Sequence, residues 1–499
     1  MTRSPVVTTT HGGGIATRPG GFPRLVPAGW PLTMLYLFFP IWWLLGVSHF
    51  VFLGAAALMG MELLRRRPVY APMAFGLWML FLVVVISGLG LLWVEPAGTV
   101  PIIGTGRLVY YVYRTLWYAG ITVTCLYVLN IAEEDLPTER VMRLLGWMFV
   151  YTTAGGLAGL LFPHLDFPSA LELVVHVPST GFLHSLIHPT IILQSGFLGF
   201  EQGRPMAPFA FPNAWGNNLG LFLPFFIATW MGKGAGWRRP VGAAILAVSV
   251  IPVTLSLNRG LWIGLGVGLA LVAIRLAMLG RTRALQVSIG LLVLGGFIFV
   301  SSPLYDRAVL RVQTPDSDAR RGTVASQVVE KTLNGSPLLG FGDTREVTGS
   351  FTSIAGGETP SCHQCAAPTL GTQGYMWRLI FTTGVVGTIL FLSFMAAQFT
   401  RFIGSSDPVA LIGCTVIVMG LVFSFVYDSL ESPMFTVFVA IGLMNRRYVQ
   451  PGQVRVIGSP VRRPPAVHRE DEPNAAKWLR AATSRARWWW TGLRLWLRG

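Results

Sequence analysis

Long apolar runs separated by short polar breaks set the pattern of this chain. Runs of near-spanning length cover roughly 30–46, 48–65, 71–94, 107–131, 142–162 and 212–232, then 241–257, 260–279, 284–303, 375–399, 407–427 and 430–445. Each approaches the ~20 apolar residues that a helix needs to cross a bilayer's hydrocarbon core. The pattern predicts an all-α, polytopic membrane protein of about twelve transmembrane helices, with two long loops near 163–211 and 304–373. No internal repeat accompanies it.

Composition agrees and charge sets a direction. Of 499 residues, 52% are hydrophobic and only 12% charged, with a mean hydropathy of +0.57, which excludes an ordinary soluble domain. A formal net charge of +16 would suggest nucleic acid in a soluble protein. Here the basic residues gather in short breaks and in the tail, so no nucleic-acid partner is expected. With the amino terminus inside, Arg65-Arg66-Arg67, Glu133 to Arg143, Lys233 to Arg239, Arg281 to Arg283, Arg401 and Arg446-Arg447 all fall on the cytoplasmic side. Both long loops then face outward and both termini inward.

Three segments follow. Residues 1–29, rich in Thr, Gly and Pro with Arg3, Arg18 and Arg24, read as a disordered basic arm; no short apolar core with a cleavage site marks a signal peptide. Residues 30–446 form the membrane domain, and 447–499 a basic cytoplasmic tail. In that tail, after a cap at Asn474, Leu479, Ala482, Ala486, Trp489, Trp490, Leu493 and Leu497 form an apolar stripe beside Arg480, Arg487 and Arg494, a helix suited to lie on anionic membrane lipids.

Cys125 and Cys414 lie in apolar runs as small hydrophobes. Cys362 and Cys365, in Cys-His-Gln-Cys, form a disulfide if their loop faces an oxidising side, or remain thiols; as half of a zinc site they lack two further ligands. His164, His176, His184 and His188 are spread through apolar segments of the first long loop, such as Leu183 to Leu193, that would lie along the membrane surface. None belongs to an HxxxH-with-carboxylate pattern, so structural or solvated histidines are favoured, and neither a metal nor a cofactor is expected.

Four polar elements carry the candidate chemistry. Ser256-Leu257-Asn258-Arg259-Gly260-Leu261-Trp262 interrupts two apolar runs and holds a guanidinium at a bilayer boundary. An arginine there needs an anionic partner, and its planar fork matches phosphate oxygens; its bland alternative is to reach for lipid headgroups. The first long loop ends with Arg204 nine residues ahead of Asn213 in Pro212-Asn213. In the second, Arg320-Arg321 lead a short amphipathic helix ending near Leu333, before Gly335-Ser336-Pro337-Leu338-Leu339-Gly340-Phe341-Gly342. The chain then re-enters the membrane through Gly371 to Gly387, with Gln373 eleven residues before Gly384. Arg114 and Arg378 lie inside apolar runs, where an arginine faces a polar cavity or a partner such as Asp428 or Glu431.

Taken in order, these elements resemble the O-antigen ligase and O-antigen polymerase superfamily of bacterial membrane glycosyltransferases: the small-polar-Arg-Gly element, the Arg-to-Asn spacing, the Pro-Leu-x-Gly-x-Gly turn and the Gly-x-x-Gly pair. The resemblance implies a GT-C-like bundle in the cytoplasmic (inner) membrane with its active site on the outer face. It implies a polyprenyl-diphosphate-linked glycan donor entering from the bilayer, a saccharide or glycolipid acceptor, and metal-independent, inverting transfer. Arg204 and Arg259 would hold the diphosphate, with Asn213, Asn258, Arg114, Arg321 and Arg378 in support.

Where the ligases carry a histidine, this chain has Gln373, which takes no proton at neutral pH. Gln373 then orients the acceptor hydroxyl, or the base comes from His363, Asp343, Glu346 or Glu358. The first long loop has no Asp-x-Asp motif, and Asp316-Ser317-Asp318 reads as a helix cap. Ligase and polymerase stay equally open. A transporter or flippase of lipid-linked sugars would want matching charges on the inner side of its cavity, and a structural cell-envelope scaffold would not need Arg204 and Arg259 at these spacings.

Overall fold

The computed structural model describes residues 28–446 except 67, 100–104, 177–181, 196–201, 233, 302–304, 307–308, 311–315 and 348–368. Both terminal segments, together with Glu358, Cys362, His363 and Cys365, lie outside the described residues, so the basic arm, the tail helix and the cysteine pairing do too. Among the described residues the chain is mostly helical.

Every apolar run contains a helix. Pro40, which has no N–H to give the preceding turn, divides the first into α1 (Trp30–Leu37) and α2 (Phe39–Leu44). There follow α3 (Val51–Leu64), α4 (Phe75–Ser87, continued by a 3₁₀ turn at Gly88–Leu91), α5 (Gly106–Asn130) and α6 (Thr138–Leu161). The first long loop holds α7 (Ala170–Val174), α8 (Phe182–Ile187) and the strands β1 (Ile192–Ser195) and β2 (Gln202–Pro205). Next come α9 (Pro212–Trp230), α10 (Arg238–Leu255), α11 (Arg259–Met278) and α12 (Thr282–Val300), then α13 (Asp316–Gly335) in the second long loop. The bundle closes with α14 (Tyr375–Phe402), α15 (Pro408–Ser424) and α16 (Ser432–Arg446).

Two expectations change in detail. Among the described residues, 4 helices, α6, α10, α11 and α14, are long and apolar enough to cross a membrane; α3, α4 and α15 are apolar but shorter. Runs counted on the sequence pass through breaks and caps: 71–94 becomes a 13-residue helix and a 3₁₀ turn. These apolar helices make the chain a membrane protein. The all-α expectation also meets an exception, since β1 and β2 pair antiparallel with Leu193 opposite Arg204.

In the bundle α6 packs on α9, α5 on α3 and α16, α4 on α14, and α11 on α15. Gly260, Gly264 and Gly268, four apart on α11, let its backbone come close to Tyr427, Phe423 and Met419; a Cβ at Gly268 would sit 2.6 Å from the Met419 sulfur. Small residues at this spacing are how helices approach in lipid, where no hydrophobic effect drives them together. Trp78, Trp117 and Trp215 are fully buried in the main core.

The second long loop is joined to the bundle through α14. That helix breaks at Gly384 (φ 62, ψ −166), which leaves backbone groups without helical partners. The 337–342 turn supplies them: Phe341 N and Gly342 N donate to Phe381 O (2.8 Å) and Thr382 O (3.0 Å), while Pro337 O and Leu338 O accept from Val385 N (2.8 Å) and Val386 N (3.3 Å). A side chain at Gly340 (φ 67) would sit 2.5 Å from Phe381 O, so the glycine is what permits the approach. Val324 and Val328 of α13 close over the junction with Phe341, Leu370 and Phe381. Beside it, the guanidinium of Arg345, 0% exposed, donates to the carbonyls of Leu92, Val94 and Phe341 at 2.9–3.1 Å. Burial and the nearby Arg107 lower the Arg345 pKa to about 10.

At the other end of the bundle, basic residues read as topology signals have acidic partners. Arg66 bonds Glu62 (3.1 Å) and Asp135 (3.4 Å); Arg446 bonds Ala132 O (2.7 Å) and Glu133 (3.3 Å).

Candidate functional site

The short turn between α15 and α16 gathers polar side chains from across the sequence. The Tyr427 hydroxyl donates to Asn258 Oδ1, and Tyr427 O accepts from Tyr375 N at the start of α14 (2.7 Å). Asp428 takes Arg378 Nη1 at 2.6 Å. Ser429 and Ser432 accept from Asn217 and Asn218 of α9, each at 2.8 Å. Glu431 accepts from Tyr113 (3.1 Å) and meets His49 (3.2 Å). Burial, the largest influence on Asp428, raises its carboxyl above the ordinary range although Arg378 pulls the other way.

Two sequence motifs meet beside this turn. α10 ends at Leu255, Leu257 takes a left-handed conformation (φ 53), and α11 begins at Arg259. The carbonyl of Ser256, just past a helix end, needs a donor. Arg204 Nε provides it at 3.0 Å, and Arg204 Nη2 reaches Asn213 Oδ1 at 3.2 Å. The Arg-to-Asn spacing is therefore a contact, closed because β2 ends seven residues before α9 begins. A Cβ at Gly260 would sit 2.6 Å from the Tyr427 hydroxyl, which explains a glycine directly after Arg259. Arg204 and Arg321 both act electrostatically on that hydroxyl. Asn258 is buried, and its Nδ2 has no partner among the described residues. Arg259 stands half-buried at the first turn of α11, where helix N–H groups have no intrahelical acceptor.

Other candidates fall in a second group. Asp343 is 2% exposed and pairs with Arg114; its carboxylate also accepts from Thr344 N at 2.6 Å. Both engagements use Oδ1. Arg114 also reaches the Thr344 hydroxyl (3.2 Å). Arg378 pairs with Asp428, the partner its position in an apolar run anticipates. Gln373 is half-exposed in the turn before α14, two residues from the Tyr375 N that bonds Tyr427. Glu346 is exposed.

Sequence reasoning did not single out Tyr427, Asn217, Asn218 or His49. The signal was present in the two asparagines inside an apolar run, because buried amides need partners.

A further cluster lies in the first long loop. His184 Nε2 meets Glu172 Oε1 and His188 Nδ1 meets Glu172 Oε2, each at 2.9 Å, while His188 Nε2 meets Asp166 at 2.6 Å. Expected from the sequence to be structural or solvated, His184 and His188 share the Glu172 carboxylate, which comes from α7, twelve residues upstream of His184, where no local pattern includes it. Burial opposes charge on both groups, yet the bonds to Glu172 and Asp166 raise His188, and the bonds to His188, the Ser169 amide and His184 lower Glu172.

No family model matches this chain, and no curated protein matches it.

Proposed function

We propose that this protein is a membrane glycosyltransferase that transfers or polymerises a glycan from a polyprenyl-diphosphate donor onto a saccharide or glycolipid acceptor at the outer face of a bacterial cytoplasmic membrane. One observation carries the reading: Arg204 bridges Asn213 and Ser256, so two motifs separated by some fifty residues converge on the start of α11, where Arg259 stands. Both guanidiniums and the orphan N–H groups of a helix start suit one anionic ligand. Cleavage of the sugar's anomeric bond builds negative charge on the departing diphosphate, and fixed guanidiniums in a low-dielectric site stabilise it. Gln373 orients the acceptor hydroxyl, which attacks from the opposite side and inverts the anomeric centre while its proton passes to a base of the second long loop, Asp343, Glu346, Glu358 or His363.

The test is turnover by the purified full chain in proteoliposomes containing a polyprenyl-diphosphate oligosaccharide and an acceptor glycan. Arg204→Lys and Arg259→Lys keep the charge but lose the planar fork, so each lowers turnover about a hundredfold, some 3 kcal/mol. Because the two share one ligand, the double variant is less than additive. Full turnover by Arg259→Ala removes the motif from the mechanism. Movement of the labelled donor between leaflets without transfer supports a flippase instead.

A further inference from the structure

The geometry points to a zinc site in the first long loop, formed by His184 Nε2, His188 Nδ1 and the Glu172 carboxylate, with Asp166 orienting His188. This inference does not rest on the transferase reading.

The three ligand atoms lie within 4.8 Å of one another, and both closest nitrogen–oxygen separations are 2.9 Å. Zinc bonds of ~2.0–2.2 Å in tetrahedral geometry set neighbouring ligand atoms ~3.3 Å apart, so a cation enters with small side-chain shifts. Two imidazoles and one carboxylate, with an open fourth position for water, are a ligand set zinc favours.

A second observation concerns His188. Its Nδ1 faces Glu172 while its Nε2 lies 2.6 Å from Asp166. A metal-bound histidine characteristically donates its other ring N–H to a carboxylate, which fixes the tautomer and raises the basicity of the ligating nitrogen. The imidazoles of His184 and His188 also stack, with centroids 4.8 Å apart and planes 17° off parallel.

The backbone holds this arrangement in advance. Ser169 and Glu172 form a reciprocal cap at the start of α7, with Glu172 N donating to Ser169 Oγ (3.1 Å) and Ser169 N to Glu172 Oε2 (3.3 Å). The histidines are four apart, so the turn of α8 sets them on one face, with His188 N donating to His184 O at 2.9 Å. α7 and α8 both close on Gly46, where a Cβ would lie 2.6 Å from Ile187 O and collide with Ser169 Oγ. Zinc would tie these two short helices together immediately before β1.

The tag-free full chain, stripped with a chelator and titrated with zinc chloride in detergent, tests the site. Calorimetry and elemental analysis should give one zinc per chain, with a higher Tm when zinc is present. His184→Asn and His188→Asn should each abolish both effects, whereas the control His164→Asn should change neither. Asp166→Asn should weaken zinc binding about 10- to 100-fold without removing it. If the histidine variants fail to fold, X-ray absorption of the zinc-loaded wild type decides: two imidazoles with oxygen support the site. A sulfur shell, which would assign the zinc to Cys362 and Cys365, overturns it. No uptake by the wild type, or uptake unchanged in the folded His184→Asn protein, overturns it as well.

Discussion

The arginines of the candidate site are held in two different ways. Arg114 and Arg378 meet carboxylates of the same chain, Asp343 and Asp428. Among the described residues, Arg204 bonds two uncharged oxygens, Ser256 O and Asn213 Oδ1. A carboxylate neutralises the guanidinium it holds, whereas a carbonyl or amide oxygen orients one without cancelling its charge. The first contacts are ion pairs within the chain. The second holds an arginine at a helix start, the place the proposed diphosphate site gives it.

The largest effect should come from breaking the first group. Arg114→Met leaves Asp343 buried without its ion pair and should destabilise the protein by about 3–5 kcal/mol. Arg114→Met with Asp343→Leu should recover most of that loss. Chemical unfolding in mixed micelles measures both, and an Arg114→Met protein as stable as wild type would show that the pair carries no structural role.

Breaking the second group should separate function from stability. Arg204→Lys should leave Tm within a few degrees of wild type while turnover falls about a hundredfold. An equal collapse of both quantities would move Arg204 into the structural group.

Gly340→Ala tests the seam joining the second loop to the bundle. The positive φ alone costs about 1–2 kcal/mol, and the Cβ meets Phe381 O. Limited proteolysis near 337–342 should accelerate with the fall in Tm; unchanged cleavage would mean that the turn tolerates a side chain.

Tyr427→Phe sharpens the comparison most finely. Loss of the hydroxyl leaves Asn258 Oδ1 unsatisfied beside Arg259, at a cost of about 1–2 kcal/mol. Turnover should fall more than stability alone explains, because Asn258 adjoins the helix start that carries Arg259.

Much of the fold was legible in the chain, because helices in a membrane protein announce themselves as apolar runs. The spacing of Arg204 and Asn213 was legible too, since the two lie nine apart across a short join between a strand end and a helix start. Contacts such as Arg114 with Asp343, or Tyr427 with Asn258, lie far apart in sequence and depend on which helices become neighbours. No local period records that. The histidine cluster escaped for a milder version of the same reason: His184 and His188 are visibly four apart, but Glu172 belongs to another helix. Element ends were less legible, because apolar character continues through Pro40 and the 3₁₀ turn after α4 while helical geometry does not.

The break at Gly384 has a consequence for how this architecture can be taken apart. Backbone groups of α14 on both sides of the break are completed by residues 337–342. Removing that loop would expose unpaired amides and carbonyls within a membrane helix, at several kcal/mol for each group left in lipid. The loop is therefore not an appendage that recombination could graft from one bundle to another. A chimaera that exchanges 335–342 must exchange 381–386 with it, although some forty residues lie between them.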